Sequence, residues 1–465
     1  MRAHEAGALH GQAGSRGPAW LDVPGDPNEL VSHLWPATVR KHDGVLTVGG
    51  VSVLDIAREY GTPTYVVDEH DFRTRARSFR DAFVGWDVYY AGKAFLCTAT
   101  ARWVSEEGLN LDVCTGGELA VALRAGVPPE RIGLHGNNKS RAEIVRALEA
   151  GVGRIIVDSH VEIDRIAEIA TELEVIARVM IRVTAGVEAH THEYIATAHE
   201  DQKFGLSITD GQALDAVRRI LDEPSMEFLG VHSHIGSQIF DTAGFEVAAR
   251  RVVGLHAQII KECDYTPPEL DLGGGFGIAY TTQDSPSTPA QLAAGMRDIV
   301  AYECGALGVA LPRLSIEPGR AIAGPSTFTL YEVGTVKPVA LDGGAVRTYV
   351  SVDGGMSDNI RTALYDADYS CTLASRSSDV EPMLARVVGK HCESGDIVVK
   401  DEFLPGDLSV GDLIAVPGTG AYCRSMASNY NHVPKAAVIA VRDGEARLLL
   451  RRETEDEMLA LDVGY

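Results

Sequence analysis

The sequence predicts a TIM-like (β/α)8 barrel, an α/β fold, together with a mainly β C-terminal domain. From about residue 64 to about residue 320, short runs rich in β-branched residues alternate with segments of helical period. About eight such strand–helix repeats in about 250 residues are most economically arranged as one parallel barrel. After about residue 325, strand-like runs follow one another with Gly and Asp turns between them, which predicts a β domain. A doubly wound parallel sheet is the alternative for the first part.

The expected strands are short, and most of them end close to a polar residue or a glycine. They are "TYVVD" (64–68), "DVYYA" (87–91), "LNLDV" (109–113), "RIGLH" (131–135), "RIIVD" (154–158), "ARVMIRV" (177–183), "FLGVHSH" (228–234), "ELDLG" (269–273) and "RLSIEPG" (313–319). The expected helices alternate with these strands at 69–84, 98–107, 116–125, 140–149, 160–173, 210–221, 243–262 and 289–304. In the second part the strand-like runs are "FTLYEVGTVKPV", "RTYVSVD", "PMLARVVG", "DLIAVPG", "KAAVIAV" and "ARLLLRR".

These patterns divide the chain into four segments. Residues 1–30 combine Gly, Ala and His without periodicity, which predicts a disordered N-terminal segment. Residues 31–60 contain a strand-like stretch and are expected to join the β domain. We expect the barrel over 61–325 and the β domain over 326–465.

Composition argues against several functional classes. The 465 residues carry 42 basic and 65 acidic side chains, and a net charge of −23 disfavours a broad surface for nucleic acid or anionic membrane. The chain has no run of about 18 apolar residues and no secretory signal, so we expect no membrane span and a cytoplasmic protein. The seven cysteines are widely spaced without a C-x-x-C pair, which indicates reduced thiols rather than a disulfide frame or a zinc site.

Lys93 is the first candidate for chemistry. It follows the apolar run 88–90 in "YYAGKAFLCTAT", where a strand is expected to turn into a helix. A lysine is strongly hydrated and is rarely buried without a function. Functional residues of barrel enzymes lie at the carboxyl ends of the strands, and a partly desolvated amine there is a nucleophile toward an aldehyde.

A glycine cluster and several polar residues stand at other expected strand ends. The run "LDLGGGFGIAY" (270–280) is not a P-loop, but successive glycines let backbone N–H groups close around an anion such as phosphate. Tight turns also use glycine, and strand-end polar groups are often structural. The polar candidates at strand ends are Asp112, Arg182, His232, His234, Glu317 and Arg320.

The His-x-His pattern in "GVHSHIGSQ" (230–238) has two interpretations. Metal-dependent barrel hydrolases use such a pair, so a metal site with His232 and His234 is a rival hypothesis. The other expected strand ends offer no further histidine in that placement, and His190, His192 and His199 share one loop. The alternative is an imidazole packed on an aromatic cofactor, with Ser237 reaching a phosphate. We therefore expect no metal.

The β domain contributes a second group of candidates. Arg361 and Tyr365 are four residues apart, so a helix would place both on one face, suitable for a substrate carboxylate. Cys392 is a potential proton donor beside Glu393, and Tyr422 follows a glycine turn. None of these features is specific by itself.

Taken together, the motifs resemble the barrel-type (fold-type III) pyridoxal-phosphate decarboxylases of basic amino acids. The resemblance rests on "YYAGKA", "HEDQKFGL", "HSHIGSQ", "LDLGGGFG", "EPGRAIAGP", "VDGGMSDNIRTALY", "CESGD" and "GAYC", in family order over residues 89–423. Within that family the likeness is to members that decarboxylate meso-2,6-diaminopimelate to L-lysine and CO2 in the last step of lysine biosynthesis. The resemblance therefore implies a carboxy-lyase with pyridoxal 5'-phosphate as its cofactor.

The resemblance also implies residue roles. Lys93 matches the lysine that carries the cofactor, His234 the histidine stacked on its ring, and Glu317 the carboxylate at its ring nitrogen. The phosphate-contacting positions are Ser237, Gly275, Gly319 and Tyr422, with Arg320 near the phosphate and the substrate. Supporting polar positions are Asp112, Glu118 and Arg182. The distal carboxylate of the substrate falls to Arg320, Arg361 and Tyr365, and Tyr422 also lies near the substrate.

Cys392 and Glu393 match a pair that is donated by a neighbouring subunit, which implies a homodimer with shared active sites. Cys392 is the candidate acid that reprotonates the product, with Lys93 as the second candidate. Arg361 and Glu393 together suit a distal group that carries both a carboxylate and an ammonium. Three alternatives remain: a decarboxylase of ornithine or arginine, which would have no use for an arginine at that site, a metal-dependent hydrolase, and a non-catalytic homologue.

Overall fold

The computed structural model describes residues 18, 20–184, 203–234, 236–340 and 346–464. The first strands are β1 (Arg40–His42), β2 (Val45–Val48), β3 (Val51–Ser52), β4 (Thr64–Asp68), β5 (Asp87–Ala91), β6 (Asn110–Val113), β7 (Ile132–Leu134), β8 (Arg154–Val157), β9 (Ala177–Thr184), β10 (Leu206–Ser207) and β11 (Met226–Ser233). They are followed by β12 (Glu269–Asp271), β13 (Arg313–Ile316), β14 (Thr327–Ala340), β15 (Val346–Val352), β16 (Thr372–Leu373), β17 (Pro382–Val388), β18 (Ile397–Pro405), β19 (Leu413–Pro417), β20 (Ala437–Arg442) and β21 (Glu445–Leu450).

The α-helices lie mostly between the strands of the first half of the chain. They are α1 (Val53–Tyr60), α2 (Glu69–Ala82), α3 (Thr98–Glu106), α4 (Gly116–Ala125), α5 (Arg141–Ala150), α6 (His160–Glu172), α7 (Gln212–Leu221), α8 (Ala243–Cys263), α9 (Pro289–Leu307), α10 (Arg320–Ala323), α11 (Arg361–Tyr365) and α12 (Glu455–Leu459). Among the described residues, none of these helices has both the length and the apolar content needed to cross a membrane.

Local sequence explains where several helices begin and end. The Ser140 hydroxyl accepts the N–H of Glu143, and the carboxylate of Glu143 accepts the N–H of Ser140, which is the capping box at the start of α5. Gly151 closes the same helix at φ 74°, a left-handed conformation that glycine adopts without a steric penalty. The hydroxyls of Thr115 and Ser159 cap α4 and α6 by accepting the N–H groups of Glu118 and Glu162. These local signals are the reason that the expected bounds of α4, α5 and α6 are close to the observed ones.

Contacts divide the chain into two compact units. The barrel unit comprises Arg73–Gly277 and Pro286–Ala321, and the β unit comprises Met1–Phe72, Ile278–Ser285 and Ile322–Tyr465. Compared with the boundaries expected from the sequence, residues 61–72, 278–285 and 322–325 fall in the β unit.

The barrel unit contains a closed parallel sheet. Its strands pair in the order β9-β11-β12-β13-β5-β6-β7-β8, and β8 pairs back with β9. Closure by this last pairing makes it a barrel of eight strands within the described residues, so the predicted fold class is confirmed. An open, doubly wound sheet is excluded because such a sheet has two free edges. The carboxyl ends of the strands therefore meet on one rim.

The β unit is built around a mixed sheet with an apolar core. The sheet order is β18-β17-β15-β14-β4-β20-β21, with β19 paired to β14 and to β16, and β1, β2 and β3 form a small antiparallel sheet. The core contains Trp35, Leu46, Val66, Phe328 and Ile439, so the segment around residues 35–55 packs with the later strands.

One strand lies in a different place from the one that the sequence suggested. Residues 64–68 were expected to begin the series of barrel strands, but β4 pairs antiparallel with β14 and parallel with β20, inside the β unit. A buried run of β-branched residues has the same local pattern in a parallel barrel and in a mixed sheet. Only the long-range pairing distinguishes the two.

Some expectations concern residues outside the described ranges. Residues 1–17 and 19 of the expected disordered segment belong there, and so do His190, His192 and His199. Within the described part of the N-terminal segment, Leu30 packs against the core of the β unit.

Candidate active site

Lys93 lies on a single 3-10 turn, Gly92–Ala94, directly after β5. Its side chain is exposed, whereas Gly92 and Ala94 on either side of it are buried. The turn is tied to the next strand end in the barrel order, because the N–H of Ala91 donates to the carbonyl of Pro318 at 3.2 Å. The side chain therefore projects from a buried rim, and the partial desolvation expected for its amine stays a prediction.

The glycines after β12 form a close backbone cradle. A Cβ on Gly273 would lie 2.3 Å from the carbonyl oxygen of Ser233, and one on Gly274 would lie 2.4 Å from that of Glu317. Gly273 and Gly275 also have φ of 71° and 115°. Only glycine allows these approaches, so the run "LGGG" is required for the backbone to pass between two neighbouring strand ends.

His234 follows β11 and faces this cradle. The N–H of Gly274 donates to Nδ1 of His234 at 3.2 Å, which makes Nδ1 the acceptor and leaves the ring proton to Nε2. Burial, together with the positive charges of Lys93 and Arg182, lowers the pKa of His234 well below its ordinary value. The imidazole is therefore neutral, as a ring that packs flat on a cofactor needs to be.

Arg320 and Ser237 lie together beside the glycines. Nη2 of Arg320 donates to the Ser237 hydroxyl at 2.9 Å, and Arg320 is 9% exposed. Gly319 precedes this arginine, and a Cβ there would lie 2.9 Å from both the Cβ and the carbonyl oxygen of Ala91. A guanidinium, a hydroxyl and backbone N–H groups at strand ends are suited to an anion such as phosphate.

Glu317 is buried among histidines that come from two other strands. Its Oε1 atom lies 3.0 Å from Nε2 of His232 and 3.4 Å from Nε2 of His135. Nε2 of His135 also lies 3.1 Å from Oδ1 of Asp112. All four residues are at most 8% exposed. We call Asp112, His135, His232 and Glu317 the acid–histidine cluster.

The two carboxyl groups of this cluster differ in their affinity for a proton. Burial raises the pKa of Asp112 to about 7, although the nearby Arg154 opposes the rise. Burial also acts to raise the pKa of Glu317, but the contacts of His232 and His135 outweigh it and hold that pKa below its ordinary value. Burial lowers the pKa of His135 well below its ordinary value. Glu317 is therefore the carboxylate that stays ionised, and Asp112 is the one that takes a proton.

A buried ionic network lies next to the cluster. Nη2 of Arg154 is 2.5 Å from Oδ2 of Asp271 and 3.9 Å from both Asp112 Oδ1 and Glu317 Oε1. The guanidinium also stacks on the ring of Tyr89 at 3.6 Å. Arg154 is therefore a buried cation that carboxylates neutralise, although its Nε has no hydrogen-bond partner among the described residues.

The expectation that no other strand end offers a histidine is wrong, because His135 directly follows β7 and joins His232 and Glu317. The ligand atoms of these three residues lie within 4.8 Å of one another, so the geometry is open to a cation. His232 and His234, which the sequence suggested as a metal-binding pair, have separate partners. The reason is that β11 ends at Ser233, so His234 lies beyond the strand.

Arg182 and Glu118 support the same rim. The guanidinium of Arg182, on β9, lies 4.3 Å from the centre of the Phe204 ring, and burial lowers the pKa of Arg182. Glu118, in the first turn of α4, accepts the N–H of Cys114 at 2.6 Å and so braces the turn after β6. Both side chains therefore support the strand ends through their neighbours, Arg182 through Phe204 and Glu118 through the backbone of Cys114.

Arg361 lies in the β unit and is 3% exposed. Its Nη1 donates to the Tyr369 hydroxyl at 2.5 Å, and its guanidinium lies 4.4 Å from the centre of the Tyr280 ring. Its buried Nε has no hydrogen-bond partner, and among the described residues no carboxylate lies within 4 Å of the guanidinium. The result is a buried cation that is held by aromatic rings and is not neutralised.

Tyr365 and Tyr422 also lie in the β unit. Tyr365 ends α11 and is half-buried. The aromatic rings next to the guanidinium of Arg361 are those of Tyr280 and Tyr369. Tyr422 has φ 62°, an uncommon backbone conformation for a residue with a side chain. It follows Gly420, where a Cβ would lie 1.8 Å from the carbonyl oxygen of Ala323.

Cys392 and Glu393 are exposed at the tip of the turn between β17 and β18. The base of this turn is well anchored: Asp396 accepts the N–H groups of His391 and Met356 at 2.7 and 2.6 Å. The imidazole of His391 is fixed in turn by the Ser357 hydroxyl at 2.8 Å. A rigid turn therefore presents a thiol and a carboxylate to the outside of this unit.

Sequence reasoning missed His135, Arg154, Asp271, Tyr280 and Tyr369. A signal existed for His135, because it ends a predicted strand like the residues that were selected. Arg154 begins β8 and the two tyrosines lie in loops, so a rule based on the carboxyl ends of strands did not identify them. Asp271 ends β12, but the expected strand ran on to Gly273.

The closed barrel, with its strand-end lysine, glycine cradle and ionised buried carboxylate, defines the class of protein as a barrel enzyme with a site for an anionic cofactor. The family model "Pyridoxal-dependent decarboxylase, pyridoxal binding domain" matches residues 69–324, which is more than half of the chain. The chain belongs to this family of pyridoxal-dependent decarboxylases.

Individual relatives agree with the family. The chain is similar to the diaminopimelate decarboxylase of Mycobacterium leprae, with 54% identity over 100% of both chains. It is 57% identical to that of Mycobacterium tuberculosis over 93% of this chain and 98% of the relative. Among solved structures, the diaminopimelate decarboxylase from M. jannaschii in co-complex with L-lysine superposes with a TM-score of 0.86 at 30% identity, covering 92% of this chain and 98% of that one.

Proposed function

We propose that this chain decarboxylates meso-2,6-diaminopimelate to L-lysine and CO2 with pyridoxal 5'-phosphate as its cofactor. The observation that carries the choice of substrate is Arg361, a buried guanidinium with an unpaired Nε and no carboxylate within 4 Å in the described part of the chain. Diaminopimelate carries a second carboxylate at its distal end, whereas ornithine and arginine do not. A buried cation of this kind is costly unless an anion completes it.

The residues of the barrel unit fit the cofactor. The cradle of Gly273 to Gly275, with Gly319, Ser237 and Arg320, offers backbone N–H groups, a hydroxyl and a cation to a phosphate. Glu317 is a buried carboxylate whose pKa the contacts of His232 and His135 hold below its ordinary value, which suits a partner for a protonated ring nitrogen. Pyridoxal phosphate, when bound, supplies a carbonyl that condenses with amines and a ring that accepts the electrons released with CO2.

Each residue then has a defined task. Lys93 would hold the cofactor through its amine, which is exposed at the rim. His234 supplies a neutral face for the ring, and Glu317 keeps a proton on the ring nitrogen. Asp112, Glu118 and Arg182 brace the strand ends, and Tyr422 adds a hydroxyl to the phosphate. Arg320, Arg361 and Tyr365 bind the distal carboxylate, and Glu393 binds the distal ammonium, with Tyr422 beside the substrate.

We further propose a homodimer in which Cys392 and Glu393 complete the site of the neighbouring subunit. Their exposure on an anchored turn leaves both side chains accessible to a second chain. Cys392 is the donor that returns a proton to the product carbon, and Lys93 is the second candidate. The cytoplasmic location expected from the sequence stays a prediction.

A substrate panel tests the activity. Release of CO2 is measured with meso-diaminopimelate, ornithine, arginine and lysine, with Lys93→Ala as the inactive control. We expect turnover of diaminopimelate alone and, after borohydride reduction, label on the peptide that contains Lys93. Turnover of ornithine but not of diaminopimelate would refute the role of Arg361 and leave the cofactor assignment intact.

Complementation between variants tests the shared site. Lys93→Ala and Cys392→Ala are inactivated at different residues, so each homodimer is expected to be nearly inactive. If the sites are shared, mixed dimers contain one intact site, and a re-equilibrated equimolar mixture recovers about a quarter of wild-type activity. A mixture as inactive as its components would contradict the shared site.

A further inference from the structure

The acid–histidine cluster contains two histidines for which the proposed function has no task. His135 follows β7 and His232 lies near the end of β11, and both approach the same atom, Oε1 of Glu317, at 3.4 and 3.0 Å. Their rings meet edge to face with centroids 5.0 Å apart. Two imidazoles therefore converge on one carboxylate oxygen from different strands.

Charge balance makes this convergence significant. Asp112, Asp271 and Glu317 bring three carboxyl groups into a buried space beside the guanidinium of Arg154, which also lies 3.9 Å from Glu269, and the charge of Arg182 acts on Glu317 as well. Arg154 lies closest to Asp271, at 2.5 Å, and is 3.9 Å from both other carboxyl groups. Asp112 and Glu317 therefore lack an arginine contact as short as that of Asp271, and Nε2 of His135 lies between them at 3.1 and 3.4 Å. An unbalanced buried carboxylate would otherwise cost several kcal/mol.

The polar atoms of the cluster are preorganised but not fully satisfied. Glu317 Oε1, His135 Nε2 and both ring nitrogens of His232 are buried without an aligned hydrogen bond, although the N–O distances are short. Hydrogen bonds between such groups shorten and align when a charged partner binds, as catalytic hydrogen bonds commonly do. The pKa difference between Asp112 and Glu317 agrees, since it leaves Glu317 as the anion.

We propose that His135 and His232 are positioning residues, which hold Glu317 by its Oε1 atom and keep its carboxylate oriented and ionised toward the ring nitrogen of the cofactor. This inference rests on the proposed function, because it needs the cofactor at Glu317. Neither histidine touches the reacting atoms. Their effect on the reaction passes through Glu317.

A metal ion is the rival occupant of the same three residues. His135, His232 and Glu317 have the composition of a two-histidine, one-carboxylate site. The guanidinium of Arg154, 3.9 Å from Glu317 Oε1, places a permanent positive charge beside that site. Because like charges repel strongly in a buried site, the cluster favours a hydrogen-bonded carboxylate over a metal ion.

The experiment compares two cofactor probes. Apo-protein is titrated with pyridoxal phosphate and with its 1-deaza analogue, in which carbon replaces the ring nitrogen, and binding is followed by intrinsic fluorescence. The variants are His232→Gln and His135→Asn, and the control is His256→Gln, another histidine that is 1% exposed, on α8. We expect the first two variants to weaken binding of pyridoxal phosphate about tenfold each, the loss of one charge-assisted hydrogen bond, and to leave binding of the deaza analogue unchanged.

A double-variant cycle and a spectrum complete the test. In a Glu317→Gln background, His232→Gln should have no further effect on either probe. The pH at which the visible absorption of the bound cofactor changes should shift in His232→Gln and stay unchanged in His256→Gln.

Several outcomes would overturn the proposal. Equal losses for both probes would mean that the histidines act only on stability. Stoichiometric zinc in the purified wild-type protein, lost in both variants, would make the cluster a metal site. If His232→Gln does not fold, His135→Asn decides alone, and its failure to distinguish the two probes refutes the inference. A wild-type protein that binds no pyridoxal phosphate would instead refute the proposed function.

Discussion

The barrel unit and the β unit each bury one arginine, but they surround it with opposite chemistry. Arg154 lies on the ring of Tyr89 with four carboxyl groups within 4 Å, those of Asp112, Glu269, Asp271 and Glu317. Arg361 lies against Tyr280 and Tyr369, and no carboxylate of the described residues lies within 4 Å of it. A buried cation that is neutralised by carboxylates is a permanent part of the structure. A buried cation without a carboxylate needs an exchangeable anion to neutralise its charge. The comparison therefore distinguishes a structural charge from a ligand-binding charge.

The largest expected effect comes from removing the structural charge. Arg154→Met should lower the free energy of unfolding by about 3–5 kcal/mol, because it leaves Asp271 buried without its cation. Urea unfolding followed by circular dichroism measures this value. The matched double variant Arg154→Met/Asp271→Asn should recover part of the loss. A cost below about 1 kcal/mol for the single variant would show that Arg154 is not neutralised by its neighbours.

The ligand-binding charge should behave in the opposite way. Arg361→Leu should lower kcat/KM for diaminopimelate by about 10²–10³-fold, because the distal carboxylate loses its partner. Its free energy of unfolding should change by about 1 kcal/mol or less, since the loss of contacts is offset by the removal of an unpaired buried charge. Arg361→Lys keeps the charge and should restore only part of the activity. Destabilisation as large as that of Arg154→Met would abolish the distinction between the two arginines.

The pH dependence of stability should distinguish the buried carboxyl group of Asp112 from the guanidinium of Arg361. Asp112 has a folded-state pKa of about 7, raised first by burial. Between pH 4 and 7 the folded protein keeps a proton that the unfolded chain has lost, so this group makes stability fall as pH rises, by up to about 1.4 kcal/mol per pH unit. Asp112→Asn should remove that slope, and Arg361→Leu should keep it. Parallel wild-type and Asp112→Asn curves in denaturant titrations at several pH values would contradict the assignment of the proton.

The smallest expected effect concerns the support of Arg361. Tyr369→Phe removes the hydroxyl that accepts from Nη1, a loss of about 1 kcal/mol, and should raise KM for diaminopimelate several-fold with little change in kcat. Tyr331→Phe is the matched control, because its hydroxyl donates to the buried Asp358 of the same unit. That variant should change stability and leave KM unchanged. An equal rise of KM in both variants would mean that Tyr369 does not position the arginine.

Much of the fold and of the candidate site could be predicted from the sequence. The alternation of strand runs and helical periods is local, and side-chain caps such as Ser140 mark the helix ends in the sequence itself. Strand-end residues such as Lys93, His234 and Glu317 were identifiable because a parallel barrel brings the carboxyl ends of its strands together. The assignment of β4 failed because a buried β-branched run pairs equally well in either unit until its long-range partner is known.

The sequence by itself determined the periods, the turns and the residue types at the strand ends, because these depend on neighbours within a few positions. Only the tertiary structure decided which charges meet. Arg154 and Asp271 are 117 positions apart, and His135 reaches Glu317 because the barrel brings the ends of β7 and β13 to one rim. The strength of a buried charge depends on what surrounds it in space. Two arginines with the same local chemistry therefore became a structural cation in one unit and an unpaired cation in the other.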